Sequence, residues 1–587
     1  MNEIPPNPVP ADVRAEAPNG AGADNATAAV PSRNESIKAG SRFLRGTLGE
    51  ELDREAFGGL SEDASQLVKF HGMYVQDDRD LRPERAKRKL DRAVSFMARL
   101  RIPAGVLTAR QYLALDRIAT ERANGTLRLT TRQTIQFHGI IKSNVRAALR
   151  AIDAELLDTV AACGDVNRNV MAAANPYRSR AHADAAEAAA RLSAHFLPRT
   201  GAWREIFIGD RRVRGGEPES EPIYGATYLP RKFKIAIAVP PANDVDVYAQ
   251  DLAFVAIVEE GAIAGYDVLA GGGMGMTHGE PDTYPRVGDL LGYCPAERLL
   301  EVAEAVLTTQ RDFGDRSNRK RARLKYTIDV RGLDWFKAEI DRRMRSPLEP
   351  PRSFVFESHD DRLGWASGTD GLHHLTLYVE NGRIADRDDE RLKAALAAIA
   401  ALAGFGDTGR FVITPNQNLV IACATDVERT RIDAILAGHR VQREISRLRH
   451  GAMACVGLPT CGLALAESER YLPGLVTRIE AILARHCLED QAITIRMTGC
   501  PNGCARPYLA EIALVGRGPG RYNLLLGGAA DGSRLNRLYR ENLADAEILA
   551  ALEPVIAGYA QARRDGERLG DYLWRAGIVA AAANRST

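Results

Sequence analysis

At 587 residues, 45% of them hydrophobic, the chain is too long for a single core and apolar enough to build about three or four domains. Its 78 basic and 76 acidic side chains leave a net charge of +2, so no global field argues for nucleic acid. No stretch approaches the roughly 20 uncharged apolar residues of a membrane span; the richest, 394–405, is Ala-heavy and short.

Residues 1–37 are rich in Pro, Ala, Asn and Gly, carry several acids and have no apolar h-region. They read as a disordered leader rather than an export or transit signal. The expected compartment is therefore the cytoplasm, where eight cysteines stay thiols or bind metal. The segment 98–108 reads as a strand ending in a turn, followed by a helical pattern and then by RLTTRQTIQFHGI (128–140). This order recurs as HLTLYVENGRIA (374–385), an Ala/Leu-rich helical pattern over 391–403, and FVITPNQNLVIACA (411–424). Thr130 aligns with Thr414, Arg132 with Asn416, Gln133 with Gln417 and Ile135 with Leu419. A loop-bearing block follows each copy, DVNRNVMAAANPY (165–177) and GAMACVGLPTC (451–461). The period is far too long for a solenoid and suggests two halves around a shared centre. Between the copies, 232–240 reads as a strand, 251–269 as an apolar run and 296–310 as a helix. The last third reads as a strand over 511–516, a hairpin-like GRGPGRYNLLLGG and a helix over 545–564.

In 128–138 the polar residues Arg128, Thr130, Arg132, Thr134, Gln136 and His138 hold even positions, while Leu129, Ile135 and Phe137 hold odd ones. Residues two apart share a face of a strand, so this reads as one amphipathic strand with a row of donors facing water or a polar ligand. Lys232 and Lys234 share a face opposite Arg231 and Phe233, and Arg99 shares one with Arg101. Such cations repel unless an anion lies between them. Residues 316–325, RSNRKRARLK, hold six basic side chains and read as a solvated helix face or turn. GGGMG (271–275) fits no nucleotide-binding pattern and reads as close backbone approach. His71, in FHGMY, reads as satisfying a loop.

Four cysteines carry the strongest chemical signal. Cys455 and Cys461 stand as C-x5-C, and Cys500 and Cys504 as C-x3-C in TGCPNGCAR; Cys163, Cys294, Cys423 and Cys487 are scattered singly. Converging thiolates suit zinc or an iron–sulfur cluster. The x5 gap is wide for structural zinc, and Cys500-Pro501 is like the Cys-Pro of ferredoxin-type clusters. Spacing alone leaves iron–sulfur, zinc and ordinary buried thiols open.

These cysteine motifs resemble those of the siroheme-containing sulfite and nitrite reductases. So do FHGMYVQDDRD (70–80), LRLTTRQTIQFHG (127–139), DVNRNV (165–170), TYLPRKFK (227–234), GGGMG, TTQRD (308–312), NQNL (416–419) and GPGRYNLLLGG (518–528). The resemblance runs from about Phe43 to about Ile578. It implies an α+β, pseudo-twofold duplicated fold of ferredoxin-like repeat halves plus two α/β domains holding siroheme and the cluster. The implied divisions are a leader to 37, a wrapping segment 38–95, a duplicated ferredoxin-like pair 96–160 and 361–439, and α/β domains 161–360 and 440–587. It implies a [4Fe-4S] cluster on Cys455, Cys461, Cys500 and Cys504, with Cys504 also ligating siroheme iron. Arg99, Arg168, Lys232 and Lys234 would then surround the substrate, and Arg128, Thr130, Arg132, Gln136, His138, Arg231 and Asn502 would contact siroheme. The implied reaction is assimilatory six-electron reduction of sulfite to sulfide, with nitrite reduction as the near rival and a zinc-stabilised binding protein as the distant one. The chain shows no nucleotide motif, so its electrons are expected from another protein; the resemblance implies a hetero-oligomer with a flavoprotein carrying FAD and FMN that oxidises NADPH. Ferredoxin is the alternative donor.

Overall fold

The computed structural model describes residues 30–54, 58–202, 206–208, 211–214 and 220–579. The fold is α+β and twice duplicated. Two five-stranded sheets make the centre. One is ordered Met73–Asp77, Val94–Arg99, Ile135–Ile140, Leu127–Leu129, Arg383–Ile384; the other Gly364–Ser367, His373–Leu377, Leu419–Ala424, Arg410–Ile413, Val106–Thr108. The two orders are the same, and each half lends its third strand in chain order to the edge of the other's sheet. Arg383 pairs with Arg128, and Leu107 with Phe411. Helices Ala109–Arg122 and Leu392–Ala400 follow the lent strands.

Glycine permits the exchange. Gly105 and Gly382 both sit at φ +74 in the turn before the lent strand. A Cβ on Gly105 would lie 2.5 Å from Ile413 O, and one on Gly382 2.4 Å from Leu129 O. Only a residue without Cβ accepts both the left-handed backbone and that approach.

The flanking sheets repeat each other as well. Met171–Ala172, Ile235–Ala238, Leu252–Glu259, Ala262–Ala270 and Asp289–Pro295 form one; Ala452–Ala454, Ile495–Thr498, Ile512–Gly518, Arg521–Leu526 and Arg537–Leu543 form the other. In each the first three strands are parallel and the last two antiparallel. One apolar core runs through residues 44–441 and a second through 448–579.

Four expectations need correction. Residues 1–29 of the expected leader lie outside the described residues, but Arg33–Ala39 is a helix. Its Glu35 and Lys38 are buried, and Lys38 Nζ lies 2.5 Å from Glu35 and donates to Leu229 O at 2.8 Å. The expected single strand over 128–138 is a hairpin, closed where Thr130 N donates to Thr134 O and Gln133 sits at φ +50. Its turn, Thr-Thr-Arg-Gln-Thr, contains none of the usual turn residues. The even-numbered face survives because Arg128 lies opposite Gln136. The strand expected over 232–240 shortens to Ile235–Ala238, and the two lysines lie in the extended lead-in. The basic run 316–325 is not a solvated face. Arg316 pairs with Glu35, Arg319 with Asp165 at 2.6 Å, Lys320 with Glu280 and Arg323 with Asp251 at 2.7 Å. Lys325 is buried and donates to Gly273 O and Gly275 O at 3.0 and 2.9 Å.

Candidate functional site

Two extended segments lie side by side and bring three of the expected cations together. Phe233 N donates to Val166 O and Arg168 N to Phe233 O, both at 3.0 Å. Phe233 is buried, so Lys232 and Lys234 turn the other way, toward Arg168. Burial, Arg168, Arg323 and Arg231 push the Lys232 ammonium down to about 7. Burial and Lys232 drive Lys234 well below its ordinary value. Burial and Arg319 bring Arg231 to about 10. Among the described residues none of Arg231, Lys232 and Lys234 has a side-chain hydrogen bond or ion pair. Unpaired enclosed cations are costly, and an anion would remove that cost.

Arg99 reaches the same place from the end of Val94–Arg99. Its Nη1 donates to Cys163 Sγ at 3.0 Å. Gln136, its partner in register, accepts from its Nε and Nη2 at 3.1 and 2.5 Å when the amide presents its oxygen. Burial opposes the charge on Arg168, but Tyr74 and Cys163 beside it hold its pKa above the ordinary value. Tyr74 and Cys163 were not singled out by the sequence; a tyrosine in a strand and an isolated cysteine carry no motif.

The other expected contacts divide into two groups. Arg128 is committed: Nε meets Glu469 at 2.8 Å and Nη2 donates to Ala454 O at 3.0 Å, beside Cys455. Thr130 Oγ1 is turned into the hairpin, accepting from Arg132 N at 3.2 Å. Arg132 donates to Gln250, Asn169 O and Ile235 O, and burial with Arg506 lowers it to about 9. Among the described residues its Nε has no partner, and neither has either ring nitrogen of His138, which is 3% exposed. Burial and Arg383 keep His138 neutral, well below its ordinary pKa. His71 satisfies a loop as expected, bonding Leu44 O at 2.9 Å. These orphaned polar atoms beside unpaired cations fit a large polyanionic group such as a polycarboxylate tetrapyrrole.

The four cysteines meet at the parallel edge of the last sheet. Gly499 N donates to Cys455 Sγ at 3.3 Å, and Asn502 Nδ2 to Cys500 Sγ at 3.4 Å. Burial, then Cys504, raises the Cys455 thiol to about 12, and the same two causes raise Cys461 and Cys500. Cys504 is also felt by Lys232, so it joins the thiol set to the cation set. Among the described residues no three His, Cys, Asp or Glu side chains are drawn tightly enough to hold one metal ion. Four thiols gathered in this way are a donor set that fits an iron–sulfur cluster.

Two loops fix this corner. Gly272 lies where a Cβ would meet Tyr248 O at 2.2 Å, and Met276 N donates to Pro501 O at 2.9 Å, so GGGMG packs close, against the cysteine loop. Arg506 donates to Thr131 O and Pro415 O, one from each hairpin turn, at 2.8 and 3.0 Å. Its Nε meets Asp246, which also binds Arg496 at 2.7 Å and His359 at 2.9 Å. Arg506 follows the C-x3-C motif by two residues; only that proximity could have flagged it.

The description "Nitrite/Sulfite reductase ferredoxin-like half domain" matches residues 89–155, and "Nitrite and sulphite reductase 4Fe-4S domain" matches 187–348. The second stretch contains one cysteine, Cys294; the four-cysteine set lies in the sheet that repeats its topology. A "Sulfite reductase [NADPH] hemoprotein beta-component" of Methylobacterium sp. (strain 4-46) is 57% identical, covering 96% of this chain and 93% of its own. A protein of the same description from Anoxybacillus flavithermus (strain DSM 21510 / WK1) is 53% identical, covering 94% and 96%. The Mycobacterium tuberculosis NirA protein superposes with a TM-score of 0.75 at 25% identity, covering 93% and 97%.

Proposed function

The chain belongs to the family of sulfite reductase hemoprotein beta-components, and from that membership we propose that it reduces sulfite to sulfide by six electrons in sulfur assimilation. The observation that carries this reading is a set of cations without ion pairs among the described residues, one of which, Lys232, lies near enough to Cys504 to feel its charge. When bound, siroheme and a [4Fe-4S] cluster would supply the electron transfer and the iron chemistry that reduces the oxyanion. Cys455, Cys461, Cys500 and Cys504 would hold the cluster, with Cys504 shared with siroheme. Arg132, His138 and Arg231, with Gln136 and Asn502, would meet the tetrapyrrole. Arg128 and Thr130 would shape its wall from their places in the hairpin.

Arg99, Arg168, Lys232 and Lys234 would bind the sulfite dianion, whose charge offsets their mutual repulsion. Each oxygen lost leaves as water and takes two protons. Lys232, whose ammonium is held below its ordinary pKa by burial and Arg168, is a candidate proton donor to the departing oxygens. His138, kept neutral, adds no charge of its own to this set. Electrons would come from a separate FAD- and FMN-containing flavoprotein that oxidises NADPH, in a hetero-oligomer; ferredoxin is the alternative donor. No helix among the described residues is long and apolar enough to cross a membrane.

The test is steady-state reduction with reduced methyl viologen as electron source. Sulfite should turn over with higher kcat/KM than nitrite, and NADPH alone should support neither. A preference for nitrite would transfer the assignment to nitrite reduction. Cys504→Ser should alter both labile sulfide and the visible spectrum; an unchanged spectrum would remove the shared thiolate.

A further inference from the structure

The edge of the cysteine site at Cys461 is covered by residues 78–92. Arg79 N donates to Pro459 O at 3.4 Å, and Arg79 Nη1 to Ala464 O at 2.6 Å and Cys461 O at 3.5 Å. Asp80 takes Arg470 at 2.7 Å. From this anchor the six-residue helix Arg82–Lys87 projects, with none of its residues buried. A helix that short does not persist on propensity; Arg82 tied to Asp77 at 2.6 Å and Arg85 to Asp91 O at 2.5 Å pin its ends.

The surface so presented is basic and partly apolar. Residues 81–92 contain six basic and two acidic side chains. Lys87, Arg88 and Lys89 are exposed and have no ion pair among the described residues. Leu81, Leu90 and Leu463 are 46%, 44% and 66% exposed. Large apolar side chains rimmed by charge form the anatomy of a protein interface. In a chain of net charge +2, this is a local field, and it steers an acidic partner. Even if the turn residues 79–81 were fully extended, they and the six helical residues would place Lys87 within about 20 Å of Arg79, inside the footprint of one small domain.

Resting on the function proposed above, we propose that the helix Arg82–Lys87, its flank to Arg92 and Leu463 form the docking surface for the electron-delivering protein, and that the partner's matching face is acidic. Electrons then enter at the Cys461 side, without passing the substrate cleft.

The test is the variant Lys87→Glu/Arg88→Glu/Lys89→Glu, with Leu81→Ser as a second, uncharged variant. Sulfite reduction is driven in parallel by reduced methyl viologen and by NADPH through the flavoprotein component. At low ionic strength the charge-reversed enzyme should keep its methyl viologen rate and lose at least tenfold in the flavoprotein-driven rate. The wild-type flavoprotein-driven rate should fall with added salt, and that dependence should vanish in the variant. Leu81→Ser should lose several-fold at any salt. An undiminished flavoprotein-driven rate in both variants, or equal loss with both electron sources, would overturn the docking surface. Wild-type failure with methyl viologen would instead overturn the proposed function.

Discussion

Lys232 and Lys234 are the side chains whose surroundings say most about the substrate, because they lie beside other cations with no ion pair to a carboxylate among the described residues. Lys232→Ala, Lys234→Ala, Arg99→Ser and Arg168→Ala should each keep siroheme and iron while losing roughly ten- to a hundred-fold in kcat/KM for sulfite. A hydrogen bond to a charged group contributes about 1.5–3 kcal/mol. Nitrite, with one charge fewer, should suffer less in at least one lysine variant; wild-type sulfite kinetics at full cofactor loading in all four would show that these cations do not hold the substrate. Glu469 is the opposite case, an acid enclosed between Arg128 and Arg383 at 2.8 and 2.6 Å. Burial works against its charge, but the two guanidinia outweigh that and hold its pKa near 2, against 4.5 ordinarily. A depressed acid stabilises the fold above its unfolded pKa and loses that contribution as pH falls from 4.5 through about 2. The shift corresponds to about 3 kcal/mol. Glu469→Gln should therefore unfold at lower temperature than wild type at pH 7, with the gap narrowing below pH 4.5; a gap independent of pH would mean that the charge on Glu469 does not matter.

At the scale of elements, the two turns that release the lent strands are equivalent, and equivalent damage should follow from either. Gly382→Ala should cost at least about 1 kcal/mol from the left-handed backbone alone, and more from the approach to Leu129 O. Gly105→Ala should do the same against Ile413 O. Thermal unfolding of both variants measures this; unchanged midpoints would show that the exchange tolerates a side chain. The central duplication was legible because Thr130, Gln133 and Ile135 repeat as Thr414, Gln417 and Leu419 at matching steps of a hairpin. The exchange was not, since strand partners as far apart in the chain as Arg128 and Arg383, or Leu107 and Phe411, leave no local trace. The flanking duplication was hidden more deeply. Asp246 and Arg506 hold the same place in their sheets, each left-handed at φ 49 and 51 before a one-turn helix, yet they carry opposite charges and so do not align by residue type. The cysteines were legible because thiols at short spacing have few uses. The orphaned nitrogens of His138 were not, because burial without a partner is a property of packing.

Across the whole molecule, that unlike pair is what ties the cysteine loop to both central hairpins. Asp246→Asn would leave Arg496 and Arg506 buried without a full counter-charge, a change that costs about 3–5 kcal/mol in comparable sites. A lower melting temperature is expected, together with a shifted visible absorption of the holoenzyme, because Arg506 stands two residues beyond Cys504. A fall in stability with an unaltered spectrum would confine the network to structural support.

The lent strands also dictate when the protein can be finished. A ribosome adds about 5–20 residues per second, so Leu127–Leu129 emerges roughly 10–50 seconds before Arg383–Ile384, the strand that closes its sheet. Throughout that interval the newborn first half has an open β-edge with no partner, a template for aggregation that chaperones or rapid synthesis must cover. Expression yield should therefore respond to translation speed between residues 130 and 384 more than to speed in the C-terminal sheet, which completes itself within its own segment.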